Sequence, residues 1–404
     1  MQLMDKVKIN EKSVLETFQE EIPSIYYSDK TEKEYKKYEE NFEYMYRHLF
    51  KFPPEMFKDK NLIDFGAGTG ETTVYYANWG AKCTLVEMND LAQKISKDIF
   101  KKYTKNFNQH KFIHSSIFDY KNPETHESYD IVHCRGVLSH TADKKGAFSK
   151  ISKFLKPGGY LIFGDPNKAG GFQNMLQRFI IYSFASTPDE MVNVSEQLFK
   201  NDIDRAQKYG DRSRRRIIFD RWVVQCQDDP SIREVLEWFE ENDLQFYSCY
   251  PPFVQPFMSD SALHSPKFSI ESFKDMGVLT EALWMIHNYN DDYEIPKILK
   301  SLKDLSPSQS ALVDYVANSN KNTVIKSDVM KNNISKYVKD LEKIDITSYP
   351  INRVKLFLNE VRELMVHIEK KDLENVKKFV QQAKHLFHGA VGVRHVDFIG
   401  HKKY

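Results

Sequence analysis

The apolar positions of this chain follow two periods, and the switches between them mark its elements. Short apolar runs bounded by turn residues recur at 62–65, 83–86, 129–134 and 160–163. Runs of that length without strict alternation predict strands covered on both faces, as in a parallel sheet. Residues 112–119 read as a further strand with its loop, whereas 38–49 and 71–79 carry helical spacing. Further on, Val235, Leu236 and Phe239 share one face of a helix over 232–242, with Ser231 after Pro230 as its N-cap, and 245–250 reads as a strand. Val354, Leu358, Val361, Met365 and Ile368 recur at helical spacing, as do Leu373, Val376, Val380, Ala383 and Phe387, before a last strand over 391–401.

The turn after the first strand carries the most specific chemistry. In Leu62-Ile-Asp-Phe-Gly-Ala-Gly-Thr-Gly70 an apolar run ends in an acid, and Asp64, Gly66, Gly68 and Gly70 follow at a strict spacing of two. Residues without a Cβ let a ligand lie against the turn's backbone, where the following helix presents unpaired N–H groups. A dinucleotide fold wants Gly-x-Gly-x-x-Gly, with its last glycine opening the helix against a pyrophosphate. Here that position is Glu71, which repels phosphate, while an acid two residues ahead of the first glycine suits a ligand carrying an ammonium and a sulfonium. The second strand also ends in an acid, Glu87, able to accept two ribose hydroxyls, and Met88 beside it can pack on a base.

These motifs, followed in order by Tyr129-Asp-Ile-Val-His-Cys134, Arg135-Gly-Val-Leu-Ser-His140 and Lys156-Pro-Gly-Gly-Tyr-Leu-Ile-Phe-Gly-Asp-Pro166, resemble the class I S-adenosylmethionine-dependent methyltransferases over about 60–170. The resemblance implies a doubly wound, Rossmann-like α/β fold with a seven-stranded sheet, an antiparallel last strand and helical insertions. It implies S-adenosylmethionine as cofactor, S-adenosylhomocysteine as product, and a donor site at Asp64, Gly66, Ala67, Gly68, Thr69, Gly70, Glu87, Met88, Ser116, Ile117 and Cys134. Ser116 stands where many members place an acid on the adenine amine, which leaves adenine to its hydroxyl, to the Ile117 backbone or to Asp119. Because members close their sheet with a sixth strand and an antiparallel seventh inserted beside the fifth, 245–250 and 394–401 are expected to be that pair. The expected divisions are an N-terminal helical cap over 1–60, a cofactor-binding core over 61–166, a helical lid over 167–230, the last core helix and sixth strand over 231–252, a helical insertion over 253–390, and the closing strand over 391–404.

Composition narrows the partners. The 404 residues are 41% hydrophobic with a formal net charge of +1, so no global attraction to a polyanion is expected. Cys83, Cys134, Cys226 and Cys249 form no metal-ligand spacing, and no metal is expected. The first residues lack a signal-peptide core and no segment reaches membrane-spanning length, so a soluble, cytoplasmic protein is expected, with no membrane partner. His140 and Asp165, just past the fourth and fifth strands, are the candidate catalytic bases, each with a structural alternative as a cap or turn residue. Arg135 and the run 212–216 are candidates for an anionic substrate, with a solvated helix face as the alternative for the run. The expected reaction is methyl transfer to oxygen or nitrogen of a small or medium metabolite, such as a sugar or glycan precursor. A nucleic-acid methyltransferase and a catalytically silent donor-binding interaction protein are the alternatives. Tyr250-Pro-Pro-Phe253 imitates a base-methylating motif but follows the sixth strand, where that chemistry does not occur.

Overall fold

The computed structural model describes residues 3–22, 31–121, 128–210, 212–252, 270–286, 305–320, 323–342, 349–388 and 395–404. One sheet organises the chain, built from β1 (Asn61–Phe65), β2 (Lys82–Glu87), β3 (Lys111–His114), β4 (Tyr129–Arg135), β5 (Leu155–Pro166), β6 (Leu244–Tyr250) and β7 (His395–Lys402). Their spatial order is β3-β2-β1-β4-β5-β7-β6. The first five strands pair in parallel, and β7 runs antiparallel to both of its neighbours. The order reverses between β1 and β4, the position at which doubly wound sheets open a crevice beyond their carboxyl ends.

The helices, in chain order, are α1 (Leu3–Glu20), α2 (Glu32–Tyr44), α3 (Thr73–Asn78), α4 (Asp90–Tyr103), α5 (Lys144–Ser152), α6 (Phe172–Phe184), α7 (Pro188–Gly210), α8 (Arg214–Ile218), α9 (Ile232–Glu241), α10 (Ile270–Met285), α11 (Leu305–Ala317), α12 (Ser327–Glu342), α13 (Tyr349–Glu369) and α14 (Leu373–Gln382). Alternate side chains of each strand reach opposite faces, so Leu62 joins one core and Ile63 the other. Helices α5 and α9 cover one face, where Phe148, Trp238 and Phe239 meet Phe163 and Phe398. On the other face, Tyr46, Tyr76 and Phe100 close over Leu62, Ile131 and Ile399. A third apolar core unites α6 and α7, which precede β6, with α10 through α14, which lie between β6 and β7, so two separate stretches of sequence build one helical half.

Local chemistry explains where elements stop. The helical spacing over 38–49 resolves into α2, opened by a Thr31/Glu34 capping box, and a π-helical turn at Met45–Leu49. The spacing through Phe387 overruns the last helix, which ends at Gln382. There the Glu360 carboxylate of α13 accepts the backbone N–H groups of Lys384, His385 and Leu386, offering that stretch an alternative to helix. The last strand is described from His395 onward, so the first residues of the expected 391–401 strand lie outside the described residues. No helix among the described residues is long and apolar enough to cross a membrane.

Candidate active site

The loop from β1 to α3 holds its three glycines in the left-handed region, at φ of 69° for Gly66, 54° for Gly68 and 72° for Gly70. Each serves a different neighbour. A side chain at Gly66 would overlap Val137 of the β4–α5 loop, and one at Gly70 would press on Ser96, Leu85 and Phe100. At Gly68 a Cβ would meet nothing within 4 Å, because that position faces an open cavity of about 670 Å³.

Asp64, at the end of β1, is buried beneath the loop, where Oδ1 pairs with His133 Nδ1 at 2.7 Å and Oδ2 accepts the Thr73 hydroxyl. Glu87, at the end of β2, accepts the backbone N–H of Gly68 and of Asn89, both at 2.7 Å. Burial pushes the Glu87 carboxyl above its ordinary range. Two polar atoms in the cavity wall, Thr69 Oγ1 and His133 Nε2, are buried without a hydrogen-bond partner among the described residues.

The cavity continues past the loop and is roofed by the N-terminal helices. Glu11, Val14, Leu15 and Phe18 of α1, with Tyr38, Asn41 and Phe42 of α2, line its outer side. Helix α1 is tied down from several directions: Lys8 to Asp119 at 2.6 Å, Asn10 to the His140 carbonyl at 2.6 Å, and Glu20 and Glu21 to Arg215 and Arg216. Arg135, His140, Pro166, His395 and the pair Arg212–Asp220 line the same cavity. The His140 ring stands edge-on to Phe18 with centroids 5.4 Å apart, and Nδ1 lies 2.9 Å from the Cys226 carbonyl. A carbonyl only accepts, so Nδ1 carries the proton and Nε2 is the basic nitrogen of the neutral ring. The wall is acid-rich: Glu11, Asp64, Glu71, Glu87 and Asp220 against Arg135 and Arg212, with no lysine among the described lining residues.

Residues 38–200 match the family model of a methyltransferase domain. This segment is a class I S-adenosylmethionine-dependent methyltransferase domain. The chain is 27% identical over 118 residues to the dimethylglycine N-methyltransferase of Parasynechococcus marenigrum, covering 28% of this chain and 39% of that one. It is 28% identical over 109 residues to the ubiquinone biosynthesis O-methyltransferase of Nitrosospira multiformis, covering 27% of this chain and 44% of that one. The chain thus spans less than half the length of these curated relatives. A solved S-adenosylmethionine-dependent methyltransferase from Mesorhizobium loti aligns over 29% of this chain and 50% of its own at 14% identity, with a TM-score of 0.26.

The methyltransferase domain brings most of the expected donor residues to one cavity: Asp64, Gly66, Ala67, Gly68, Thr69, Glu87, Met88, Ser116 and Ile117 all line it. The open position over Gly68, the orphaned Thr69 and His133 atoms and the acidic wall fit a donor bearing an ammonium, a sulfonium and hydroxyls. Three expectations are corrected. Gly70 faces the α4 packing and not the cavity, and its missing side chain lets the loop settle on Phe100. Cys134 is fully buried in the sheet core. Asp165 is 2% exposed and does not line the cavity; its two oxygens accept the Ser139 N–H and hydroxyl, and burial, with Asp229 nearby, pushes its carboxyl up to about 8. It orders the β4–α5 loop from beneath. Asp119, the alternative adenine contact, is turned to Lys8 and Ser116.

The basic run 212–216 is neither a solvated face nor an open cationic patch. Arg214 pairs with Glu196 and Asp204, Arg215 with Glu20, Glu21 and Asp189, and Arg216 with Glu21. Sequence reasoning missed His133, Thr73, Asp220, His395 and the α1 contacts. For α1 a signal existed, since Val7, Val14, Phe18 and Ile22 recur at helical spacing; nothing local marks the others.

Proposed function

We propose that this chain transfers a methyl group from S-adenosylmethionine to an oxygen or nitrogen atom of a small or medium metabolite, a sugar or glycan precursor being one candidate class. The observation that carries the reading is a single roofed cavity joining the glycine loop to His140. Bound there, S-adenosylmethionine supplies a methyl carbon on a sulfonium leaving group. The loop and Glu87 hold the donor, and the opposite end of the cavity holds the acceptor in line, where positioning alone contributes roughly 7–11 kcal/mol of rate enhancement. His140 Nε2 takes the acceptor's O–H or N–H proton as the new bond to carbon forms and the carbon–sulfur bond breaks. Asp165 is left out of the chemistry because it does not reach the cavity. The same reading makes 1–60 a cap, 61–166 the donor-binding core, 167–230 a substrate lid contributing Arg212 and Asp220, 231–252 the last core helix and sixth strand, 253–390 a helical insertion and 391–404 the strand that completes the sheet.

A cavity roofed by α1, and a basic run already paired with carboxylates, favour a small acceptor over a nucleic acid. The curated relatives, named for dimethylglycine and for ubiquinone biosynthesis, support the same class. The test is formation of S-adenosylhomocysteine with a small-molecule extract compared with RNA. Turnover with the extract is expected; turnover with RNA alone would reverse the choice, and donor binding without turnover under either would make the protein a silent binder. His140→Ala is expected to keep donor affinity within a few-fold and lower turnover about 100-fold, and an unchanged rate would remove His140 from the mechanism.

A further inference from the structure

Arg135, Gly164 and Asp397 lie in one row across three adjacent strands at the carboxyl edge of the parallel sheet, Arg135 opposite Gly164 and Gly164 opposite Asp397. The outer two are not neighbours in the ladder, yet their side chains meet over the middle strand: Arg135 Nε lies 2.7 Å and Nη2 3.4 Å from the two Asp397 oxygens. They can meet only because position 164 has no side chain. A Cβ there would overlap the Asp397 carboxylate and come within 3.1 Å of Arg135 Cγ.

Asp397 is buried, with 7% of its side chain exposed, whereas 37% of the Arg135 side chain is exposed and the residue lines the cavity. The bond to Asp397 is side-on, through Nε and Nη2. It leaves the end-on edge of the guanidinium, with Nη1 making no bond among the described residues. That edge presents two parallel N–H donors, the geometry that matches a carboxylate. The ion pair behind fixes the plane of the guanidinium and so the direction of the open edge.

We propose that Arg135, held from behind by Asp397 across the gap at Gly164, is a clamp for an acceptor carrying a single carboxylate. This deepens the methyl-transfer reading and rests on it for the word acceptor. A monoanion fits better than a phosphate dianion, since the other arginine of the wall, Arg212, is paired with Asp220, and the rest of the wall is acidic. The clamp is assembled by β7, so a strand more than 200 residues beyond β5 in sequence sets acceptor specificity.

The test is calorimetric titration of the protein saturated with S-adenosylhomocysteine, using acetate and benzoate as monocarboxylate probes, acetamide and benzamide as neutral controls and phenyl phosphate as the dianion. At least one monocarboxylate is expected to bind about tenfold or more tightly than its amide. Arg135→Gln should abolish that preference, while Asp397→Asn and Gly164→Ala should weaken it, all three keeping wild-type S-adenosylhomocysteine affinity as the check that the donor site is intact. Equal binding of acid and amide, no binding of either acid at millimolar concentration, a preference that survives Arg135→Gln, or tighter binding of the phosphate would each overturn the proposal. Failure of methyl transfer itself would show separately, as an acid-selective site in a protein that never consumes the donor.

Discussion

The three glycines of the β1–α3 loop share one backbone conformation and differ in what their missing side chains leave room for. Gly68 faces the cavity, so Gly68→Val is expected to cost roughly 1–2 kcal/mol of left-handed strain, with donor binding lost. Gly70→Val drives a branched side chain into Phe100, Leu85 and Ser96 and should instead lower stability by about 2–4 kcal/mol, in the range of overpacking with strain. Thermal melts paired with S-adenosylhomocysteine titration separate the two; equal melting losses for both variants would refute the distinction. The spacing of the motif was plain in the sequence. Which glycine faces the cavity and which faces a helix was not, because Phe100 and Val137 reach the loop from other elements. The same limit applies to Asp64: its acid could be read from the motif, but its buried partners His133 and Thr73 depend on how β4 and α3 pass it.

At the scale of elements, β7 is the piece on which the rest depends. It is central in the last three strands, antiparallel to β5 over Tyr160–Pro166 and to β6 over Leu244–Tyr250. A chain ending at residue 390 therefore leaves both β5 and β6 with unpaired edges and exposes Phe163 and Phe239, which Phe398 covers. Such a chain is expected to lose near-ultraviolet circular dichroism and cooperative melting, whereas one shortened by only the last two residues should keep both; a cooperative melt from the longer truncation would refute this. The strand itself was legible as an apolar stretch near the terminus. Its partners were supplied by the family resemblance, since local periodicity does not say which of two distant strands an edge will choose. Helix α1 shows the reverse: its spacing was present, but its place over the cavity comes from contacts with residues 119, 140, 215 and 216, far apart in sequence.

For the whole molecule, the seam between sheet and helical half holds buried carboxyls whose protonation couples to folding. Burial pushes Asp165 up to about 8 and Glu281 up to about 7; Glu281 accepts Asn167 Nδ2 and the Ile232 N–H through one oxygen. A raised folded-state value means that the native protein holds the proton more tightly than the unfolded chain. The stabilisation is complete below the ordinary carboxyl values near 4 and is lost as pH rises through 7 and 8, at roughly 1.4 kcal/mol per pH unit for each group while it remains protonated only in the native state. Asp165→Asn and Glu281→Gln keep an accepting oxygen and should each flatten the decline in melting temperature between pH 5 and pH 9; a decline unchanged in both would exclude these carboxyls as its source.

The sequence alone determined the donor end of this protein, since Asp64, the glycines, Glu87 and Met88 fall within 25 consecutive residues and the βα unit that carries them folds by local pattern. The rest of the cavity wall was decided by tertiary structure. It comes from residues near positions 11–18, 133–140 and 212–220 and from His395, and side chains so far apart in sequence acquire a common geometry only when the sheet closes around β7.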